Sequence, residues 1–316
     1  MNKPKVTVVG GGFVGATTAQ RLVEKEIANT VLIDIVEGLP QGKALDIMES
    51  APIEGFRTKI TGTNDYADTK DSDIVVVTAG IARKPGMSRD DLVATNAGIV
   101  GGVIEQCAKY SPNAILIIVT NPLDVMTYLA WKKSGFPVNR VFGMAGALDS
   151  PRMAYFIAEA LNCDPTDVDA MVLGGHGDEM VPVPAYTKVK GKSITELLPK
   201  DKIEAINQRT RDGGAEIVKY LKMGSAFYAP SSSVVRMVKA ILEDKKEIIP
   251  SCVYLTGQYG IKDVYCGVPA KLGRKGVEEV VEIKLTAEEL KALHVSATHV
   301  RENCSKLKLQ AVAELS

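Results

Sequence analysis

A strand, a glycine turn and a helix follow one another at the start of the chain, and nothing else restricts the fold so tightly. Residues 5–9 are an apolar strand-sized run. Gly10-Gly11-Gly12-Phe13-Val14-Gly15 comes next and fits G-x-G-x-x-G. An amphipathic pattern over residues 14–28 then predicts a helix. In such a unit the first glycine, Gly10, permits a tight turn and the second, Gly12, lets a pyrophosphate approach the backbone. The third, Gly15, lets helix and strand pack closely. The unpaired N–H groups at the helix start attract the anion. Asp34 lies 19 residues after Gly15, at the end of the next strand. A carboxylate there accepts hydrogen bonds from ribose hydroxyls and repels a 2′-phosphate, which favours NAD over NADP.

The same alternation continues. Strands are expected at residues 31–35, 74–78, 114–120 and 140–144, and helices at 42–50, 92–109 and 123–133. Continuous apolar strands separated by helices imply a parallel sheet covered on both faces. From Asp149 the pattern changes. Ser150 and Pro151 read as the cap and first position of a helix running to about residue 161. Strand signals follow at 168–173 and 181–189, then a long helix at 202–221 with Gly213-Gly214 as a possible kink. A helix at 232–243, a strand meander at 248–282 and a capping box at Thr286 to Glu289 complete the chain. The expected architecture is α/β: a doubly wound (Rossmann) parallel sheet domain at residues 1–145, then an α+β substrate domain at 146–316.

Charge and composition exclude several functions. Lys plus Arg and Asp plus Glu are both 38, so the formal net charge is zero. That argues against nucleic acid or an anionic membrane as the main partner. No apolar run is long enough to span a bilayer or to form a signal-peptide core. Cys107, Cys163, Cys252, Cys266 and Cys304 are scattered and odd in number, as reduced thiols of a cytoplasmic protein would be. With three histidines and no H-E-x-x-H, no metal site is expected.

Chemistry-bearing residues gather after the strands. The segment from Gly80 to Asp90 carries Arg83 and Arg89, two guanidinium groups on a glycine- and proline-marked loop. Their planar forks pair with carboxylates through parallel hydrogen bonds. His176 lies in Gly174-Gly175-His176-Gly177-Asp178, where glycines strip away bulk around a group that exchanges protons near neutral pH. A buried, satisfied turn histidine would look the same. Asp149 and Arg152 read either as a helix-dipole partner with a surface charge or as an orienting carboxylate with a substrate clamp. Asn121 precedes Pro122 at a strand's carboxyl end, where ligands of doubly wound sheets bind. His294 and His299, on the C-terminal helix, read as surface or boundary residues.

Gly10, Gly12, Gly15, Asp34, the Arg83 to Arg89 loop, Thr120-Asn121-Pro122, Asp149-x-x-Arg152 and the His176 turn stand in one order. With them the chain resembles the lactate/malate dehydrogenase superfamily from end to end, and within it the lactate-dehydrogenase-like malate dehydrogenases of bacteria. The resemblance implies that His176 exchanges the substrate proton, Asp149 orients it, Arg152 binds the carboxylate beside the reacting carbon, and Arg89 polarises the carbonyl with help from Asn121. The cofactor-binding set is Gly10, Gly12, Gly15, Asp34, Asn96 and Asn121. The cofactor implied is NAD and the partner a small dicarboxylate.

Arg83 is expected to choose the substrate. Lactate enzymes of the family tend to carry Gln there and malate enzymes Arg. Closing an arginine over pyruvate would bury an unpaired charge, at about 3–5 kcal/mol. Ala226, where lactate enzymes often have Thr, leaves room for the longer substrate. The resemblance also suggests a homodimer or homotetramer, with helices 42–50, 154–161 and 232–243 as candidate contacts. The rival readings are a lactate dehydrogenase on the same scaffold, an NAD-dependent glycosidase and a non-catalytic NAD-sensing module.

Overall fold

The computed structural model describes residues 3–82 and 89–307, without the side chain of Arg89. Arg83 and the rest of the 83–88 segment therefore lie outside the described residues. The first half contains β1 (Lys5–Val9), α1 (Phe13–Glu24), β2 (Asn29–Ile33), α2 (Leu39–Glu49), α3 (Ala51–Glu54), β3 (Ile60–Thr63), β4 (Ile74–Val77), α4 (Arg89–Tyr110), β5 (Ile115–Ile118), α5 (Leu123–Ser134) and β6 (Val141–Gly143). The second half contains α6 (Gly146–Leu161), β7 (Val168–Asp169), β8 (Val172–Gly174), β9 (Met180–Pro182), β10 (Lys188–Val189), β11 (Lys192–Ser193), α7 (Ile194–Leu197), α8 (Lys200–Leu221), α9 (Tyr228–Leu242), β12 (Glu247–Thr256), β13 (Lys262–Gly273), β14 (Gly276–Val280) and α10 (Ala287–Ser305).

Among the described residues, one sheet runs in the order β14-β13-β12-β6-β5-β4-β1-β2-β3. β1 to β6 are parallel, and β12 to β14 add an antiparallel meander. The meander thus extends the first half's sheet, joined through the antiparallel pair Cys252↔Gly143. Both faces of the parallel part are covered, which is why its strands read as unbroken apolar runs. In β4, Ile74 and Val76 enter one core with Val6, Val8, Leu32 and Ile117, while Val75 and Val77 enter another with Val9, Ile33, Leu116 and Ile118. A third core lies among Met153, Ile157, Val172, Ile194 and Ile206. Each side chain buried completely in these layers contributes about 1.5–3 kcal/mol.

Several local expectations change. β3 carries only four residues, two of them buried, and its apolar signal is too short to read. The helix at 146 starts earlier than Ser150 and Pro151 suggest: both sit inside α6, whose N-cap is Ala145. Ser150 turns its hydroxyl outward and accepts the N–H of Val172 at 3.0 Å, so it satisfies the head of β8 rather than its own helix. The 168–173 and 181–189 signals each split into two short strands that join different sheets. Pro182 and Pro184 interrupt the second of these. α8 is one continuous helix through Gly213-Gly214. The capping box of α10 is present: Thr286 Oγ1 accepts the N–H of Glu289, and Glu289 accepts that of Thr286. No helix among the described residues is long and apolar enough to cross a membrane.

Candidate active site

Close packing dictates the glycine turn. Gly10 adopts φ +104°, and a Cβ on Gly15 would collide with the carbonyl oxygen of Gly10. The α1 backbone therefore approaches the turn as only glycine allows. Gly12 differs. It has an ordinary φ of −65°, and a Cβ there would meet no protein atom within 4 Å. No described residue requires glycine at this position, so the clearance suits a ligand approaching the backbone at the start of α1. Asp34, just past β2, accepts the N–H of Gly11 at 2.5 Å and that of Val36 at 2.9 Å, one on each oxygen. Each oxygen keeps a second lone pair for ribose hydroxyls. Lys43 closes the other side of the turn by donating to the Gly11 carbonyl at 2.6 Å. These residues fit the pyrophosphate and ribose of a dinucleotide.

Asn96 is fully buried on α4, and its amide is spent on backbone. It accepts the N–H of Ile81 and donates to the carbonyls of Ile81 and Asn121. It thereby ties the last described residues before Arg83 to the carboxyl end of β5. Asn121 is exposed at that end, before a cis bond to Pro122.

The surroundings of His176 are built from remote parts of the chain. β8 and β9 form a hairpin whose turn carries His176. His176 Nδ1 lies 2.9 Å from Asp149 Oδ2. Arg152 Nη1 donates to Asp149 Oδ1 at 3.3 Å. Asp149 is 2 % exposed, in the first turn of α6. One buried carboxylate thus holds an imidazole on one oxygen and a guanidinium on the other. Burial alone would pull the His176 pKa down, and Arg152 pulls the same way. The charge and hydrogen bond of Asp149, together with the charge of Asp124, outweigh both, and the net shift is upward.

Arg152 shows why α8 contains Gly213. A Cβ there would collide with Arg152 Cδ and lie 2.9 Å from its Nε. The glycine that read as a kink is the bed for the guanidinium stem. The turn itself rests on two side chains that sequence reading did not single out. Asp124 Oδ2 accepts the His176 N–H at 2.9 Å, and Ser296 Oγ accepts the Gly175 N–H at 2.7 Å. Burial pushes the Asp124 carboxyl above the usual range, against the lowering effects of the Cys252 thiol and the His176 N–H. The other histidines have structural partners: His294 Nε2 meets the Tyr259 carbonyl, and His299 Nδ1 meets Glu179. No metal-competent cluster exists among the described residues.

The family model for the lactate/malate dehydrogenase NAD binding domain matches residues 4–143, and that for the lactate/malate dehydrogenase alpha/beta C-terminal domain matches residues 146–310. The chain belongs to the lactate/malate dehydrogenase family. A malate dehydrogenase of Pelodictyon phaeoclathratiforme is 60% identical over 304 residues, covering 96% of this chain and 98% of its own. The solved malate dehydrogenase of Salinibacter ruber is 50% identical with a TM-score of 0.92, covering 96% of this chain and 97% of that one. The lactate dehydrogenase of Cryptosporidium parvum, solved with lactic acid and nicotinamide adenine dinucleotide, is 41% identical with a TM-score of 0.93, covering 96% and 98%. Membership of the lactate/malate dehydrogenase family and the Asp149–His176 pair agree on an NAD-dependent 2-hydroxy acid dehydrogenase.

Proposed function

We propose that the protein catalyses reversible hydride transfer between (S)-malate and NAD, yielding oxaloacetate and NADH. The observation that carries the reading is Asp149 gripping His176 Nδ1 at 2.9 Å. That bond places the Nδ1 proton toward the carboxylate and leaves Nε2 to exchange a proton with substrate. During oxidation His176 takes the hydroxyl proton, and Asp149 stabilises the imidazolium that forms. During reduction the imidazolium returns the proton to the carbonyl oxygen. Arg152 keeps further N–H donors beyond the one on Asp149 and binds the carboxylate next to the reacting carbon. Gly10, Gly12, Gly15 and Asp34 hold the dinucleotide, and Asn121 contacts nicotinamide or substrate oxygen. NAD supplies the hydride acceptor when bound.

Arg83 and Arg89 complete the proposal from sequence. Arg83 pairs with the second carboxylate of oxaloacetate, and Arg89 stabilises charge developing on the reacting oxygen. Lactate dehydrogenase is the second reading, supported by the similarity to the Cryptosporidium enzyme. NADH absorbance followed with oxaloacetate and with pyruvate decides between them. A hundredfold or larger preference for oxaloacetate is expected, from about 1.4 kcal/mol per factor of ten. Equal rates would overturn the malate assignment, and repetition with NADPH tests the role of Asp34.

A homodimer or homotetramer in the cytoplasm is part of the same proposal. Leu45, Tyr155 and Tyr228 are each more than half exposed, on α2, α6 and α9. The five cysteines are free thiols. Sedimentation gives the assembly directly.

A further inference from the structure

Two consecutive backbone N–H groups in the His176 turn are taken by side chains from two different helices. Gly175 N–H donates to Ser296 Oγ on α10, and His176 N–H donates to Asp124 Oδ2 on α5. Ser296 then donates its own proton to the Glu179 carbonyl at 2.7 Å, spanning the turn from Gly175 to Glu179. Ser296 is 1 % exposed and Asp124 6 % exposed. A Cβ on Gly175 would press on Val300 at 3.1 Å and on Asp124 Oδ2 at 3.4 Å, so the turn is wedged between the two helices. Behind it, a Cβ on Gly267 of β13 would strike the Gly174 carbonyl. These close approaches leave the turn little room to move toward Val300, Asp124 or β13.

The cost of this arrangement argues that it does more than satisfy two donors. Asp124 is a buried carboxyl whose Oδ1 lacks a partner of good hydrogen-bond geometry among the described residues, an arrangement that costs free energy. What the buried oxygen provides is a fixed acceptor on the residue that must aim its imidazole at Asp149.

We infer that Asp124 and Ser296 are positioning residues for the reaction, clamping the backbone of His176 so that its Nδ1 stays on Asp149 and its Nε2 faces the substrate. The C-terminal helix is on this view part of the catalytic apparatus, although it contributes no group to the reacting atoms. The inference rests on the reading of His176 as the proton-exchange group.

The test compares Asp124→Ala, Asp124→Asn, Ser296→Ala and His176→Asn in the full-length protein. Oxaloacetate reduction is followed with NADH and with 4-deuterated NADH. Asp124→Ala and Ser296→Ala are expected to lower kcat roughly tenfold to a hundredfold. KM for NADH should stay within about twofold, and the isotope effect on kcat should rise as the chemical step becomes slower. Asp124→Asn keeps an amide oxygen for the His176 N–H and should recover most of the loss. Ser296→Ala removes one oxygen atom and carries the test if Asp124→Ala does not fold. Wild-type kcat and isotope effect in both alanine variants, with only Tm lowered, would overturn the clamp. If that result came with an inactive His176→Asn, the clamp alone would fail. An active His176→Asn would instead remove the reading of His176 itself.

Discussion

The glycine turn at Gly10 to Gly15 and the turn at His176 carry the two halves of the proposed site, but they are made in opposite ways. The first is one continuous strand, turn and helix. Its tight fit is between Gly10 and Gly15, five residues apart. The second depends on Asp124, Asp149, Arg152, Gly213 and Ser296, which come from four helices distributed along the chain. A local motif can bind a cofactor because an anion needs only oriented N–H groups and clearance. Proton exchange needs an imidazole held at a defined angle, and that precision requires supports from several directions.

The comparison breaks most visibly at His176. His176→Asn should lower kcat by about 10³-fold, within the range for losing a general acid–base. NADH binding measured by fluorescence should be nearly unchanged, because the glycine turn is independent. Loss of both together would show that the two regions are not separable.

Arg83→Gln comes next in size. It should erase a preference for oxaloacetate over pyruvate of about a hundredfold or shift it toward pyruvate, in kcat/KM for the two keto acids. Unchanged discrimination would remove the electrostatic account of that position.

Glycine substitutions sharpen the contrast. Gly15→Ala should destabilise the fold by about 3 kcal/mol, because helix and turn must separate. Gly12→Ala should leave Tm near the wild-type value and weaken NADH binding by roughly tenfold, since only a ligand meets the new methyl. Gly213→Ala belongs to the other region. It should displace Arg152 and raise KM for oxaloacetate roughly tenfold while NADH binding holds.

The smallest effect is in pH. Asp149 raises the His176 pKa against burial, so Asp149→Asn should move the alkaline limb of oxaloacetate reduction to lower pH, besides lowering the rate. The sign for stability is the same. The pair's contribution is complete below 6.5, the ordinary histidine value, and is lost as pH rises through the raised value. A limb that stayed in place would show that Asp149 does not set the proton affinity.

Much of this was legible in the chain. β1, α1, β4 and α5 lie within a few residues of their sequence-based positions, because continuous apolar runs and helical periodicity survive without tertiary context. His176, Asp149 and Arg152 were legible as residue types near turns, but their contact was not, since 27 residues separate Asp149 from His176. Asp124 followed Asn121-Pro122 without any mark of its own, and Ser296 looked like one more polar position on an amphipathic helix. Gly213 pointed the wrong way, toward a kink, because a glycine needed by a neighbour's side chain resembles one needed by its own backbone.

By itself the sequence determined the parallel sheet and the glycine turn after β1, since periodicity and glycine spacing act between near neighbours. Only tertiary structure decided that the meander of β12 to β14 would extend that sheet, and that α5, α6 and α10 would meet at the His176 turn, with α8 packed on Arg152. Those contacts depend on burial and on hydrogen bonds across long loops, where the energy lies in the fit between segments and no single segment carries its signature.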